Sequence, residues 1–298
     1  MPDPALSLLT PEQLRLLGRW LGAWELEEDM SWGIQGIHVL RLGTERGPVV
    51  VKASQASRHI QRELRAHRQM TAPLGARAPR LLHGDSRAGL MVATWLPGRL
   101  VEGGPAESSE DAFRQAGELL ARFHRPRHET NSYDPAALHK LRDFADRAAG
   151  LVPADELRAV RSLAAAHQAS PRVLYATHGD YLPRNWIEDG GLVGIIDFGR
   201  AGYRPWVTDL VRLEHRYFAS QSGPDAASRG GTAHDGARLR AAFYAGYGRD
   251  PAEEPDSWRL DNLLQALGTV VWAHDVGDAA FEEEGRHMVT RVVELFTL

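Results

Sequence analysis

Apolar residues recur along this chain in two periods, and the change from one to the other divides it. Between about 33 and 96 they come in short runs bounded by glycine and proline, the pattern of strands. Residues 33–48 predict a β-hairpin, with Ile37, Val39 and Arg41 alternating and Gly43-Thr44-Glu45-Arg46-Gly47 turning the chain. Val49-Val50-Val51-Lys52 is an apolar strand that closes on a lysine. Residues 78–82 and 89–94 read as two neighbouring strands of the same sheet, stopped by Trp95-Leu96-Pro97-Gly98-Arg99. Ahead of them, Thr10-Pro11-Glu12-Gln13 has the form of a helix start, with Thr10 as N-cap and Gln13 closing a capping box. Leu14, Leu17, Leu21 and Trp24 follow at helical spacing, and residues 25–29 are expected as an acidic break. An arginine-rich helix is predicted over 57–70.

Past residue 100 the period lengthens to that of helices. Ser108-Ser109-Glu110-Asp111 caps a helix that carries Phe113, Ala116, Leu119, Leu120 and Phe123 on one face. Helical patterns at 135–149 and 153–169 lead into a strand, Val173-Leu174-Tyr175-Ala176-Thr177, and Gly191-Leu192-Val193-Gly194-Ile195-Ile196 is a second short one. Residues 221–236 are rich in Gly, Ser, Ala and Asp and read as a mobile loop, with helices expected at 237–247, 257–274 and 278–296.

Composition narrows the function classes. An apolar share of 43% and a charged share of 25% are ordinary for a soluble globular chain of 298 residues. A net charge of −4 without a Lys/Arg-rich run leaves no footprint for nucleic acid, and no protein partner is implied. No apolar stretch approaches the roughly 20 residues of a membrane helix. The N-terminus shows no basic region followed by an apolar core, so no signal peptide is evident. The absence of cysteine excludes disulfides and thiol catalysis and fits a cytoplasmic location. Only Lys52 and Lys140 among the 35 basic residues are lysine, which makes each lysine's position more telling.

Chemistry concentrates in one stretch, Thr177-His178-Gly179-Asp180-Tyr181-Leu182-Pro183-Arg184-Asn185, followed by Ile196-Asp197-Phe198-Gly199. Asp180 can accept the proton of an acceptor hydroxyl, while Asn185 and Asp197 offer hard oxygens to Mg²⁺. Both carboxylates would sit at strand ends, on loops held by a scaffold. His83-Gly84-Asp85 repeats the tripeptide, but Leu90 stands five residues on and no spaced second acid follows, so it reads as a turn before a strand.

This two-part pattern resembles the aminoglycoside phosphotransferase and choline-kinase-like small-molecule kinases, whose catalytic loop reads His-Gly-Asp with Asn at plus five. The resemblance implies Asp180 as catalytic base, Asn185 and Asp197 as magnesium ligands, and His178 as a structural residue that positions the loop. It implies an α+β, protein-kinase-like fold in two lobes: a nucleotide-binding antiparallel β lobe with a helix over 1–96, and a larger, mainly helical lobe over 97–298 with the catalytic loop and acceptor site. Lys52, on a strand after a glycine-bearing hairpin, would reach the α- and β-phosphates of ATP or GTP. Alone it would read as a solvated strand-end residue. Glu63, the only carboxylate of the 57–70 helix, is its natural ion-pair partner, the other reading being an i, i+4 surface pair with an arginine. Ser31-Trp32-Gly33-Ile34-Gln35-Gly36 would cover the nucleotide, although its Gly-x-x-Gly is a poor match to a kinase glycine loop. In the family the segment after the 89–94 strand is a hinge, which places the Thr94 carbonyl and the Leu96 amide against the purine edge. Asp209 would brace the catalytic loop, a role compatible with a plain N-cap. His124 is read as buried and structural.

The reaction implied is transfer of a γ-phosphoryl group to a small-molecule hydroxyl, with an antibiotic as the expected acceptor and resistance as the outcome. Choline, amino alcohols or sugars are the metabolic alternative, and a nucleotide-binding module without catalysis is another. All of Lys52, Asp180, Asn185 and Asp197 are present, against the inactive module, and no long phosphorylatable segment lies between Gly199 and Asp209, against a regulated protein kinase. A metal-dependent hydrolase built on His178, Asp180 and Asp197 would leave Lys52, Glu63 and the hinge unexplained. Residues 250–284 hold ten carboxylates and one arginine, which would either draw in a cationic acceptor or form solvated helix faces. His274, Asp275 and Asp278 fit no standard metal spacing. An aminoglycoside site would need convergent carboxylates. A more apolar acceptor could be lined by Trp258, Trp272, Tyr244 or Phe281.

Overall fold

The first helix (α1, Pro11–Leu21) begins on Thr10 in the computed structural model, which describes residues 8–31, 36–54, 58–219 and 236–297. Gln13 N donates to the Thr10 hydroxyl at 3.2 Å and Thr10 N donates to the Gln13 side chain at 2.9 Å, the reciprocal pair its spacing predicts. Leu17 is buried and Leu14 and Leu21 pack against the same core, as the helical spacing predicts; Trp24, just past the helix, packs there too, and Gln13 and Leu16 turn inward beside them. Gln13 Nε2 donates to the Ala88 carbonyl at 2.8 Å, and this bond sets which side of α1 faces the sheet.

Two compact units follow from the chain's contacts, Met1–Glu107 with Pro183–Gly202, and Ser108–Leu182 with Tyr203–Leu298. The first is built on a five-stranded antiparallel sheet, β1 (Trp24–Asp29), β2 (Ile37–Thr44), β3 (Val49–Ser54), β4 (Leu81–Asp85) and β5 (Leu90–Thr94), in the order β1-β2-β3-β5-β4. The acidic run at 25–29 is therefore an edge strand, not a break, because Trp24 and Leu26 alternate inward while its carboxylates face water. Leu40 and Leu42 are the inward positions of β2 on the α1 side, and Ile37, Val39 and Arg41 form the alternating set expected of the strand. Ile37 packs on the opposite face.

The strand period of two then decides where chemistry can sit. Val49, Val51 and Ala53 of β3 join the core under α1, so Lys52 projects to the other face, opposite Val39 and Met91 in register. That face is covered by helix α2 (Arg58–Gln69) through Ile60 and Leu64. His83-Gly84-Asp85 lies on β4 itself, and Asp85 Oδ1 accepts Arg87 N and Ala88 N at 2.8 and 2.9 Å to close the turn into β5. A second small sheet, β6 (Arg99–Leu100), β9 (Trp186–Asp189) and β10 (Leu192–Ile195), completes the unit in the order β10-β9-β6. Gly98 (φ 115°) lets the chain leave β5 close over β9, since a Cβ there would meet the Glu188 carbonyl and lie 2.8 Å from Ile187 Cγ2.

The second unit is mainly helical: α3 (Glu110–Phe123), α4 (Tyr133–Arg147), α5 (Ala154–Ala166), the short α6 (Val211–Leu213), α7 (Gly236–Tyr247), α8 (Pro255–Val276) and α9 (Ala279–Thr297). All five apolar residues predicted on one face of α3 are buried. Helices α3 and α7 approach at two glycines: a Cβ on Gly117 would overlap the Phe243 carbonyl, and one on Gly246 the Arg114 carbonyl. Three strands, β11 (Gly202–Arg204), β8 (Arg172–Thr177) and β7 (Pro126–Thr130), form a sheet in the order β11-β8-β7. Strand β7 was not expected, because most of Pro126-Arg127-His128-Glu129 is exposed and offers no apolar alternation. Among the described residues no helix is long and apolar enough to cross a membrane. The glycine segment at 32–35 and most of the loop at 221–236 fall outside the described residues.

Candidate active site

The expected site residues divide by unit. Lys52, Glu63, Thr94, Leu96, Asn185 and Asp197 belong to the first; His178, Asp180 and Asp209 belong to the second.

In the first unit, Lys52 Nζ lies 2.8 and 2.9 Å from the two Glu63 oxygens and 2.9 Å from Asp197 Oδ1. Burial works against the Lys52 charge, but the Asp197 and Glu63 carboxylates outweigh it and hold the ammonium above its ordinary range. Glu63 is buried and also accepts Phe198 N at 3.3 Å, so α2 and the Asp197 loop are joined through one carboxylate. Asp197 is the one described non-glycine residue at positive φ (61°), a conformation few side chains tolerate without support. Its Oδ1 accepts both Lys52 and Gly199 N, the latter at 3.3 Å. Its side chain is 49% exposed against 4% for Glu63, so of the two carboxylates on Lys52 it is Asp197 that can reach a ligand.

Asn185 ends a 3₁₀ turn (Pro183–Asn185), and its carbonyl accepts Ile196 N at 3.0 Å. That bond ties Asn185 to the residue immediately before Asp197. The backbone thus places a residue with an amide oxygen next in the fold to the segment that carries Asp197. Thr94 ends β5, where its N–H donates to Arg80 O and its Oγ1 accepts Arg80 N, both at 2.9 Å. The Leu96 side chain fills the space over Gly194, where a Cβ would come within 2.6 Å of Leu96 Cδ2. Arg77 Nη1 donates to Val193 O at 2.6 Å alongside. The segment following β5 is thereby packed on β10, the strand that leads to Asp197.

In the second unit, strand β8 delivers Thr177-His178-Gly179-Asp180 at its end. His178 and Asp209 are buried. Asp209 accepts His178 N on Oδ2 and Gly179 N on Oδ1, each at 2.6 Å. Its Oδ2 also lies 3.0 Å from His124 Nε2, and His124 Nδ1 lies 2.7 Å from the Tyr247 hydroxyl. Burial would raise the Asp209 carboxyl, but His124, His178 and the Gly179 amide together hold it below its usual value. The rings of Phe123 and Tyr181 meet His178 edge-on. Gly179 (φ 82°) provides the turn that lets both amides face one carboxylate.

Two features of this unit escaped the sequence. Arg212 donates from Nη1 to Asp180 Oδ1 at 3.2 Å. Its only trace in the sequence is one charge inside the apolar run Leu210-Val211-Arg212-Leu213. The chain then continues as a single π turn, Glu214–Phe218, a rare geometry that is frequent at functional sites. Nor could the His124–Asp209 contact, 85 residues apart, be read from local pattern.

The acidic stretch at 250–284 is engaged residue by residue. Glu254 accepts Trp206 Nε1 at 2.6 Å and pairs with Arg249, Asp256 pairs with Arg259, and Asp275 pairs with Arg147. Glu282 and Glu283 pair with Arg286, and Glu284 with Arg216. Among the described residues no group of three or more His, Cys, Asp or Glu is placed to hold a metal, and His274 faces Glu282 at 3.1 Å.

Comparison with known proteins shows the family and the fold. Residues 37–260 match the family described as "APH: Phosphotransferase enzyme family". No curated protein matches the sequence. Among solved structures, the chain is similar to a thermostable mutant of aminoglycoside phosphotransferase APH(4)-Ia in ternary complex with AMP-PNP and hygromycin B, with a TM-score of 0.68 at 11% identity over 96% of this chain and 98% of that one. It is also similar to the macrolide 2'-phosphotransferase MphH from Brachybacterium faecium (TM-score 0.59, 17% identity, 93% and 96% covered). A choline/ethanolamine kinase family protein from Mesorhizobium loti gives a TM-score of 0.60 at 20% identity, with 94% and 90% covered.

Proposed function

We propose, from the premise that this chain belongs to the phosphotransferase enzyme family, that it transfers the γ-phosphoryl group of ATP or GTP to a hydroxyl of a small-molecule antibiotic. The fold is the α+β, kinase-like one of that family, and the enzyme is a phosphotransferase. The observation that carries the finer reading is the Lys52–Glu63–Asp197 cluster with Asn185 tied beside it. An ammonium held above its ordinary range by two carboxylates remains charged at any physiological pH. It is thus ready to bind phosphate oxygens without a change of protonation.

In this reading Lys52 orients the α- and β-phosphates, and Glu63 keeps the ammonium in place. The Thr94 carbonyl and Leu96 amide hold the base. Asn185 and Asp197 would hold Mg²⁺, which supplies charge stabilisation to the phosphate oxygens when bound. Asp180 takes the acceptor proton as the acceptor oxygen bonds to the γ-phosphorus and the bond from that phosphorus to the departing nucleoside diphosphate breaks. His178 and Asp209 set the backbone from which Asp180 projects. Positioning and electrostatics supply most of the acceleration, with the base itself worth roughly 10²–10⁴-fold. An antibiotic acceptor is supported by structural relatives named as aminoglycoside and macrolide phosphotransferases.

The test is nucleotide consumption by the purified protein with Mg²⁺ and ATP or GTP, against aminoglycosides, macrolides, nucleoside and peptide antibiotics, choline and amino alcohols. Phosphorylation of one acceptor, lost in Asp180→Asn, is the expected result. Turnover confined to choline or an amino alcohol would replace the antibiotic reading with a metabolic one. No nucleotide binding would overturn the proposal.

A further inference from the structure

The residue beside Asp180 is a cation, and that bears on what the acceptor can be. Arg212 Nη1 sits 3.2 Å from Asp180 Oδ1, with side chains 17% and 12% exposed, so any acceptor reaching this carboxylate also meets the guanidinium. The same guanidinium lies over the Phe281 ring, 6.0 Å from its centroid, and Phe281 meets Trp272 edge-on at 5.7 Å. Neither ring is fully buried. Among the described residues, Asp180 therefore presents its carboxylate already engaged by a guanidinium, with an aromatic pair beside that cation, where a polycation would need convergent carboxylates.

Two described acids of the same unit, Glu214 and Glu284, are already engaged by arginines. Glu214, two residues on, is taken up by Arg240 at 3.0 Å and the Tyr244 hydroxyl at 2.6 Å, and Glu284 by Arg216 at 3.7 Å. The π turn that begins at Glu214 follows directly on Arg212, so an irregular and costly piece of helix lies next to the residue that holds Asp180.

We infer that Arg212, resting on the phosphotransferase reading above, is a specificity-determining residue: it admits hydroxyl acceptors with an extended apolar or aromatic body and at most one cationic centre, and rejects polycations. A like charge placed next to Arg212 is unfavourable in a partly desolvated site, on the order of 10- to 100-fold in kcat/KM per charge. The exclusion is a repulsive device, and specificity commonly needs one in addition to attraction.

The test compares hygromycin B and gentamicin as polycationic acceptors with erythromycin, a large lactone carrying one amino group. Turnover is measured with Mg²⁺ and ATP, and binding by thermal shift with nucleotide present. Wild type is expected to prefer erythromycin by at least about 10-fold in kcat/KM. Arg212→Gln should reduce that preference by about 10-fold or more, Arg212→Lys should retain most of it, and Phe281→Ala should weaken erythromycin alone. If Arg212→Gln fails to fold, the lysine and alanine variants still carry the comparison. Equal or better use of a polycation by wild type overturns the inference while leaving the phosphotransferase reading intact. Binding of neither class by a protein that binds nucleotide overturns it as well. Absence of nucleotide binding strikes the phosphotransferase reading instead, and the thermal-shift arm without acceptor scores that separately.

Discussion

Asp209 takes the backbone amide of His178 onto Oδ2 at 2.6 Å, and its other oxygen takes the next amide, that of Gly179, at the same distance. A buried carboxylate thereby holds two consecutive peptide groups immediately before Asp180. Two N–H groups pointing into one buried carboxylate are hard to replace, because a neutral side chain offers at most one oxygen in the same shape.

Asp209→Asn turns an –NH₂ toward an N–H donor and should cost about 2–4 kcal/mol in urea unfolding. Phosphoryl transfer should fall by about 10²-fold or more, since Asp180 is displaced with the loop. The folded pKa of Asp209 lies below its ordinary 3.8, so its contribution is present above that value and is lost as pH falls through the lower folded one. The variant should lack this step in its acid unfolding curve. An unchanged urea midpoint would mean that the paired amides contribute no stability.

Lys52→Met leaves Glu63, 4% exposed, without its cation and should destabilise by about 3–5 kcal/mol, whereas Glu63→Gln keeps an oxygen on the ammonium and should cost less. Because the folded Lys52 pKa lies above its ordinary 10.5, the ion pair's contribution is complete below that value and is lost only in strong alkali. Stability differences between wild type and these variants should therefore stay flat from about pH 6 to 9 as far as Lys52 is concerned. Nucleotide-dependent thermal stabilisation should disappear in Lys52→Met. If it persists at wild-type size, Lys52 does not bind the phosphates.

Asp261 of α8 is buried, with Oδ1 accepting the Tyr133 hydroxyl at 3.0 Å and the Thr208 hydroxyl at 2.9 Å. Oδ2 has no hydrogen-bond partner among the described residues, and burial pushes the carboxyl up to about 7. Between its ordinary 3.8 and that value the folded state holds a proton the unfolded state has lost. Stability therefore declines as pH rises through this window, by about 4 kcal/mol in all. Asp261→Asn should be less stable than wild type near pH 5 and more stable near pH 8, with the curves crossing between. Parallel curves would show that Asp261 ionises freely in the fold.

Gly117→Ala places a methyl on the Phe243 carbonyl and 2.8 Å from Tyr247 N, both of α7. The backbone must shift, at a cost of about 1–3 kcal/mol. Tyr247 holds His124, and His124 holds Asp209, so phosphoryl transfer should fall along with stability. A variant that loses stability with unchanged kcat would show the helix pair to be uncoupled from the loop.

Much of this protein can be read from local order. The capping box at Thr10, the strand that carries Lys52, the buried face of α3 and the His178-Gly179-Asp180 loop with its amide and second acid are local patterns, since each depends on neighbours a few residues away. The family followed from the same short stretches. Where the reading slipped, a distant partner was responsible. Residues 25–29, expected as a break, form a strand because β2 pairs with them.

The side-chain partners that give these residues their chemical state are long-range. Lys52 meets Asp197 across 145 residues, His124 meets Asp209 across 85, and Arg212 meets Asp180 across 32. A periodic pattern specifies which face of an element is apolar, and therefore type and boundaries. It carries no information on which charge from another element arrives there, and in a buried site that neighbour sets charge state, orientation and selectivity. The residue types at Lys52, Asp180, Asn185 and Asp197 were sufficient to name the chemistry, while packing placed a guanidinium rather than a carboxylate beside Asp180.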